Sequence, residues 1–268
     1  MSSPANPLIK QLRQLARDPG GYRAAGSIWI EGEHLCGAAV ARGWRPELTV
    51  FSESFWASPL VHWTDPATKK IVIVSDRLFA AISPLDSPAG IGMLLPLAEP
   101  PALLPTVPTV ILDRLQDAGN VGSILRSAAA FGFAQIVALK GTAALWAPKV
   151  LRAGMGAHFG LRLIEQAQPA DLELLDLPIL QTSSHDGAWL HEADLPSPAA
   201  WVFGHEGQGI DPALAVRFAA RTRQGARSIR IAQPGGEESL NVAAAAAICL
   251  HAGAVAASSA KPVAALRD

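Results

Sequence analysis

From Thr109 onward, short apolar runs alternate with stretches of helical period. Thr109-Val110-Ile111-Leu112, Gln135-Ile136-Val137-Ala138-Leu139, residues 177–182, Ala200-Trp201-Val202-Phe203 and Ile229-Arg230-Ile231 each have the length of a strand. Helical segments separate them: residues 121–131 and 149–155, one opened by Pro212 at its first position, and one from Leu240 to about residue 256. This alternation constrains the chain more than any other feature. It predicts an α/β fold, a parallel sheet with helices on both faces. The last helix is apolar nearly all round, so burial is expected.

The first hundred residues have a different rhythm. A short helix over 6–17 is stopped by Asp18-Pro19-Gly20-Gly21. Strands follow at 27–30, 48–51, 71–74 and 90–95, with a helix reaching Ala41 and a helical turn over 76–82. Between residues 96 and 108 stand five prolines. Such density marks an extended linker, and the boundary is set near residue 103. Two domains result, 1–103 and 104–268.

Composition narrows the classes. Half of the 268 residues are apolar, enough for full cores. No run is long and charge-free enough to predict a membrane span, and no signal peptide is evident at the start. The two cysteines, Cys36 and Cys249, form neither a zinc spacing nor a disulfide framework; they fit a reducing cytoplasm, as buried inert thiols. The net charge of −1 does not advertise nucleic acid, so any RNA site must be a local patch. Two patches are candidates: Lys10, Arg13, Arg17 and Arg23; and Arg217, Arg221, Arg223, Arg227 and Arg230. By composition alone, ordinary solvated faces are the favoured reading of both.

Three strand ends carry the chemistry. The first reads Asp113-Arg114-Leu115-Gln116-Asp117-Ala118-Gly119-Asn120-Val121-Gly122-Ser123-Ile124-Leu125-Arg126. Asn120 is read as a helix N-cap, after a tight turn at Gly119. Arg126 lies one turn beyond Gly122 and Ser123, with room to bind a phosphate through two parallel hydrogen bonds. A capped helix with a surface arginine is the simpler alternative. The second, Gly204-His205-Glu206-Gly207-Gln208-Gly209, is not a dinucleotide fingerprint: its spacing is G-x-x-G-x-G, and an arginine-rich stretch stands where a ribose-binding acid belongs. His205-Glu206 lacks a second histidine, so no metal site is expected. Its glycines allow a loop to approach a flat ligand such as adenine; a plain strand-to-helix turn is the alternative. The third runs Ile231-Ala232-Gln233-Pro234-Gly235-Gly236-Glu237-Glu238-Ser239-Leu240-Asn241-Val242. Ser239 can cap the helix starting at Leu240. Asn241, a polar amide inside an apolar helix, must find a partner.

In order, spacing and neighbouring elements, these three segments resemble the signature motifs of the SpoU-type RNA 2′-O-ribose methyltransferases, a branch of the SPOUT superfamily. The resemblance covers about residues 108–256. It extends weakly to Asn6-Pro7-Leu8-Ile9-Lys10 and Ile30-Glu31-Gly32, similar to the start of a small ribosomal-protein-like substrate-binding domain. It implies methyl transfer from S-adenosylmethionine to a ribose 2′-oxygen of RNA, with ribosomal RNA favoured over transfer RNA. It implies a trefoil knot and a homodimer with the site at the subunit interface. By the same resemblance, Arg126 matches the catalytic arginine, Asn120 the first motif's asparagine, Glu206 the second motif's acid, and Ser239 and Asn241 the third motif's polar pair. The cofactor is expected at Thr182, Gly204, Gly207, Ile231 and Leu240. The chain departs from the pattern at His205, Gly154 and Ala232-Gln233, none of which carries a proposed chemical role.

Two other classes compete: a non-catalytic RNA-binding or ribosome-assembly factor on the same fold, and a nucleotide-dependent oxidoreductase. Intact polar residues in all three motifs argue against the first, and the glycine spacing against the second. The role of Arg126 stays open between base and phosphate clamp, because a guanidinium is ordinarily protonated far above neutral pH and makes a poor base.

Overall fold

The computed structural model describes residues 5–58, 68, 70–220, 225–236 and 239–259. Arg221 and Arg223 of the second basic patch, and Glu237-Glu238 of the third motif, lie outside the described residues, as does the tail after residue 259. The chain divides into two compact units: residues 1–99 with 146–160, and residues 100–145 with 161–268.

The first unit opens with α1 (Pro7–Arg17), capped by the Asn6 side chain, which accepts from the Leu8 N–H at 2.9 Å. Ile9, Leu12, Leu15 and Ala16 fall on one face of this helix and are buried. Gly20 and Gly21, expected only to stop α1, lead into a short second helix, α2 (Gly21–Ala25). Then come β1 (Ser27–Glu31), α3 (Glu33–Ala41), β2 (Leu48–Ser52), α4 (Glu53–Trp56), β3 (Ile71–Val74), α5 (Asp76–Ile82) and β4 (Ile91–Pro96). The sheet order is β1-β4-β2-β3, with β4 antiparallel to both neighbours and β2 parallel to β3. Arg13 and Arg17 on α1 donate to the carbonyls of Ala81 and Ser83 at the end of α5.

The second unit begins with β5 (Thr109–Leu112), α6 (Ala118–Ala130) and β6 (Gln135–Leu139). The chain next supplies α7 (Pro148–Gly154) to the first unit. It continues through β7 (Arg162–Ala167), β8 (Ile179–Thr182), β9 (Ala188–Trp189), β10 (Ala200–Phe203), α8 (Pro212–Ala219), β11 (Ala226–Arg230) and α9 (Val242–Ser259). Seven strands lie in the order β7-β6-β5-β10-β8-β11-β9, and every pairing is parallel. The predicted α/β class with a parallel sheet is therefore what the chain forms. On one side Ile111, Val137, Ile179 and Val202 pack with Leu214 and Phe218 of α8. α9 lies against α6 and β10.

Three local expectations are corrected. β7 was not anticipated: it carries charged and polar residues at the sheet edge, and a bulge with Gln166 at φ 57° breaks its alternation. α6 starts three residues before Val121. α9 starts at Val242 and is not buried all round: Ala246, Cys249 and Leu250 are buried, whereas Ile248 and Val255 are 42% and 50% exposed.

In a parallel sheet ligands bind beyond the carboxyl ends of the strands, where the strand order reverses. Here β5 has β6 on one side and β10 on the other. The three motif loops and Thr182 follow β5, β10, β11 and β8, four adjacent strands, so the topology gathers them at one edge.

Candidate active site

Asp117, not Asn120, caps α6: its carboxylate accepts from the Asn120 N–H at 2.8 Å. Gly119 accordingly sits in the first helical turn, not in a turn before it, and a Cβ there would come within 2.9 Å of the capping Asp117 oxygen. With the cap provided elsewhere, the Asn120 side chain is available for longer contacts. Its amide donates to Glu206 Oε1 at 3.3 Å, and its Oδ1 accepts from Asn241 Nδ2 at 3.0 Å. One asparagine thus joins all three motifs. Arg126 is exposed, beside exposed Ser123, and no described residue pairs with its guanidinium.

The second motif closes on itself. His205 and Gly209 exchange two backbone hydrogen bonds, at 3.0 and 2.8 Å, and the Gly207 N–H donates to His205 Nδ1. A Cβ on Gly204 would run into the backbone of Gly209 and Ile210. Glycine at 204 is therefore required by the loop's own closure. Glu206 projects from this loop and accepts from the backbone N–H groups of Gln116 and Asp117 at 3.3 and 3.2 Å, besides Asn120. Partial desolvation favours its neutral form. Hydrogen bonds from its own backbone, Asn120, Asp117 and Gln116 outweigh that and hold the carboxyl below the ordinary glutamate value.

In the third motif, Asn241 rather than Ser239 caps α9. Its Oδ1 accepts from the N–H groups of Ala243 and Ala244 at 2.9 and 3.2 Å. It is exposed, not enclosed within the helix, and its amide goes to Asn120. Ser239 is exposed at the mouth of a pocket. That pocket is lined by Thr182, Ser183, Ser184, Gly204, Glu206, Ile229, Ile231, Gln233, Ser239, Leu240, Val242, Ala245 and Cys249, among others. The lining combines the aliphatic side chains of Ile229, Ile231, Leu240 and Val242 with the hydroxyl residues Thr182, Ser183, Ser184 and Ser239, suited to a flat base joined to a polar tail. Thr182, Gly204, Ile231 and Leu240, expected to hold a cofactor, all line it; Gly207 does not, nor do Asn120, Arg126 or Asn241. Burial pushes the Cys249 thiol up to about 12, so it contributes shape and not reactivity.

Sequence reasoning passed over a second cluster beside this one. Asp113, 2% exposed at the end of β5, takes two hydrogen bonds from Arg114 and one from the Asp211 N–H. The signal was an acid directly after a fully apolar strand. The described arginines of the second basic patch are engaged within the protein: Arg217 with Glu173, Arg227 with the Asp194 carbonyl, and Arg230 with the His185 carbonyl and, 3.7 Å away, the Trp189 ring. A separate groove lined by Leu172, Glu173, Val216 and Arg217 holds none of the motif residues.

Comparison with known proteins agrees with this geometry. Residues 108–251 match the SpoU rRNA Methylase family, and residues 6–92 match an MRM3-like substrate binding domain. The chain is 31% identical to an uncharacterized tRNA/rRNA methyltransferase of Synechocystis, over 94% of this chain and 92% of that one. It is 30% identical to the 23S rRNA (guanosine(2553)-2′-O)-methyltransferase of Bacillus subtilis, over 83% and 86%. A solved RNA 2′-O ribose methyltransferase superposes with TM-score 0.78 at 28% identity, over 96% and 98% of the two chains. The SpoU methyltransferase AviRb of Streptomyces viridochromogenes, solved with AdoMet, shares the fold at TM-score 0.83 and 19% identity. The chain belongs to the SpoU rRNA methylase family.

Proposed function

We propose that the chain transfers the methyl group of S-adenosylmethionine to a ribose 2′-hydroxyl of RNA, with ribosomal RNA the substrate rather than transfer RNA. The observation that carries this reading is the chain Asn241–Asn120–Glu206, which ties the three motif loops together beside one pocket. Similarity over 83% of the chain to a 23S rRNA 2′-O-methyltransferase favours ribosomal RNA. A 2′-oxygen as acceptor requires RNA, since DNA has none.

The cofactor supplies a methyl carbon on a positively charged sulfonium, and transfer cancels that charge. The chain's own task is alignment. Ile231, Leu240 and Val242 offer aliphatic surface to the ligand, and Ser239 offers a hydroxyl to its polar end. Glu206, Asn120 and Asn241 fix the loops that face the acceptor. Arg126, exposed and unpaired among the described residues, binds the phosphate next to the reacting ribose and so sets the approach of the oxygen. Holding reactants in line can supply several orders of magnitude through effective molarity. Gly207 shapes the loop tip and has no direct cofactor contact in this reading. The exposed apolar face of α9, with Ile248 and Val255, is the surface for a second copy. A cytoplasmic setting suits two buried free thiols, and no helix among the described residues is long and apolar enough to cross a membrane.

The test is methyl transfer from labelled S-adenosylmethionine to total RNA of a strain lacking the gene, followed by mapping of 2′-O-methylated positions. Incorporation into ribosomal RNA that vanishes with Arg126→Ala is expected. Turnover largely retained in Arg126→Lys, with weakened RNA binding, would make the arginine a clamp and not a base. Cofactor binding without incorporation would favour the non-catalytic RNA-binding factor.

A further inference from the structure

We propose that Arg114 is a positioning residue for the reaction, locking the second-motif loop against the first so that Glu206 stays on Asn120. This rests on the function proposed above. Arg114 stands in the left-handed region at φ 58°, one of three non-glycine residues described there. Such backbone persists in a bulky residue only where its surroundings hold it, and functional sites are where it gathers.

The surroundings here are specific. The Arg114 N–H donates to Thr142 Oγ1 at 3.1 Å, and that hydroxyl in turn donates to the Leu112 carbonyl. The left-handed turn swings the side chain back onto the preceding residue. Nε and Nη2 meet the two oxygens of Asp113 at 2.9 and 3.2 Å. Asp113 is 2% exposed, so its charge needs this partner. Nη1 reaches Gln208 Oε1 at 3.3 Å and lies 3.7 Å from Asp211 Oδ2. Asp113 Oδ2 also accepts from the Asp211 N–H at 2.7 Å. The guanidinium and its carboxylate therefore grip the second-motif loop at two points, Gln208 within it and Asp211 just after it.

Glu206 lies between those anchors and Gly204, on a loop whose residues 206–209 are all exposed. Its own bonds run to Gln116, Asp117 and Asn120. The loop is thus fastened to the first motif twice, by Glu206 and by the Arg114–Asp113 pair. Glycines 207 and 209 leave it little intrinsic stiffness. With one fastening removed, the other must hold an exposed glycine-rich segment alone. Arg114 is not among the pocket-lining residues, and its bonds to Gln208 and Asp113 place it to act through the loop that carries Glu206.

Arg114→Gly is the informative variant, because glycine accepts the left-handed backbone while the whole side chain, guanidinium included, is removed. Arg114→Lys keeps the charge without the two-pronged grip. Both are compared with Glu206→Gln and with the double variant, measuring thermal midpoint, cofactor affinity by calorimetry, kcat and KM for RNA, and amide exchange at Gln116 and Asp117. In both Arg114 variants we expect kcat reduced about tenfold with RNA KM little changed, and faster exchange of those two amides. Addition of Glu206→Gln should give less than the product of the two single losses. Unchanged exchange, or losses that multiply, would overturn the proposal. If the wild-type chain transfers no methyl group yet exchange is faster in Arg114→Gly, the clamp stands and the methyl-transfer reading falls.

Discussion

Asn120 has one carboxamide and uses both ends of it, the amide towards Glu206 and the oxygen towards Asn241. Neither bond would form if the side chain were folded back onto its own helix as a cap. Asp117 takes that duty, so two polar residues three apart divide local and long-range work. The division predicts separable phenotypes. Asp117→Ala should cost about 1 kcal/mol of stability in urea unfolding, the usual loss for a removed N-cap, and Asp117→Asn should restore it. Asn120→Ala should leave the unfolding midpoint nearly unchanged and lower kcat, because exposed partners lose little stability but lose their registration. Equal effects of the two alanine variants on both readouts would contradict this division. Glu206 adds a pH dependence. Its folded-state value is lowered from the ordinary glutamate value by hydrogen bonds that outweigh partial desolvation. A depressed carboxylate stabilises the folded state fully above that ordinary value, and the contribution is lost as pH falls through the lower folded one. Faster exchange of the Gln116 and Asp117 amides should therefore set in only below the ordinary glutamate range. Glu206→Gln should give faster exchange of at least one of these amides already at pH 7, since Gln116 and Asp117 donate to different carboxylate oxygens and an amide keeps only one acceptor.

At the scale of elements, α9 shows where reading a pattern succeeds and where it stops. Its apolar composition called for burial, and the chain leaves Ile248 and Val255 about half exposed. A helix that is apolar all round needs a partner on every face, and among the described residues of α9 the buried ones are Ala246, Cys249 and Leu250. With a second copy on the other face, Ile248→Glu should give a monomer by sedimentation, at micromolar protein, with activity reduced; a wild-type chain that is monomeric there would refute the interface. Strands with uninterrupted apolar runs, such as Thr109–Leu112 and Ala200–Phe203, were legible because a central parallel strand is buried on both faces. β7 was not, since an edge strand tolerates Arg162 and Glu165 and its bulge destroys the alternation. The caps failed for another reason. Asp117-Ala118-Gly119-Asn120 contains two good cap residues, and only the contact with Glu206, distant in sequence, decides which is used. The motifs were thus legible as loops at strand ends, whereas the pairing of Asn241 with Asn120 and the Arg114–Asp113 grip depend on strand order.

For the whole molecule, charge sets the constraint on how RNA is met. A net charge of −1 gives no general attraction to phosphate, so affinity must be local and depend on few cations. The described arginines of the later patch are tied to Glu173, Asp194, His185 and Trp189. On α1, Arg13 and Arg17 spend part of their hydrogen-bonding capacity on the Ala81 and Ser83 carbonyls, which holds them in fixed positions while their charge stays. Lys10 is exposed on the same helix, in the unit that matches a substrate binding domain. Replacing Arg13 or Arg17 would remove a structural bond together with a charge; Lys10→Gln removes the charge alone. If α1 meets the RNA backbone, Lys10→Gln should weaken binding similarly across RNA sequences. It should also reduce the slope of log affinity against log salt by about one, the signature of a lost phosphate contact. Cofactor affinity and the thermal midpoint should not move, because Lys10 lies outside the pocket and off the buried face of its helix. A salt slope identical to wild type would remove Lys10 from the RNA contacts and leave the phosphate contact proposed for the exposed Arg126.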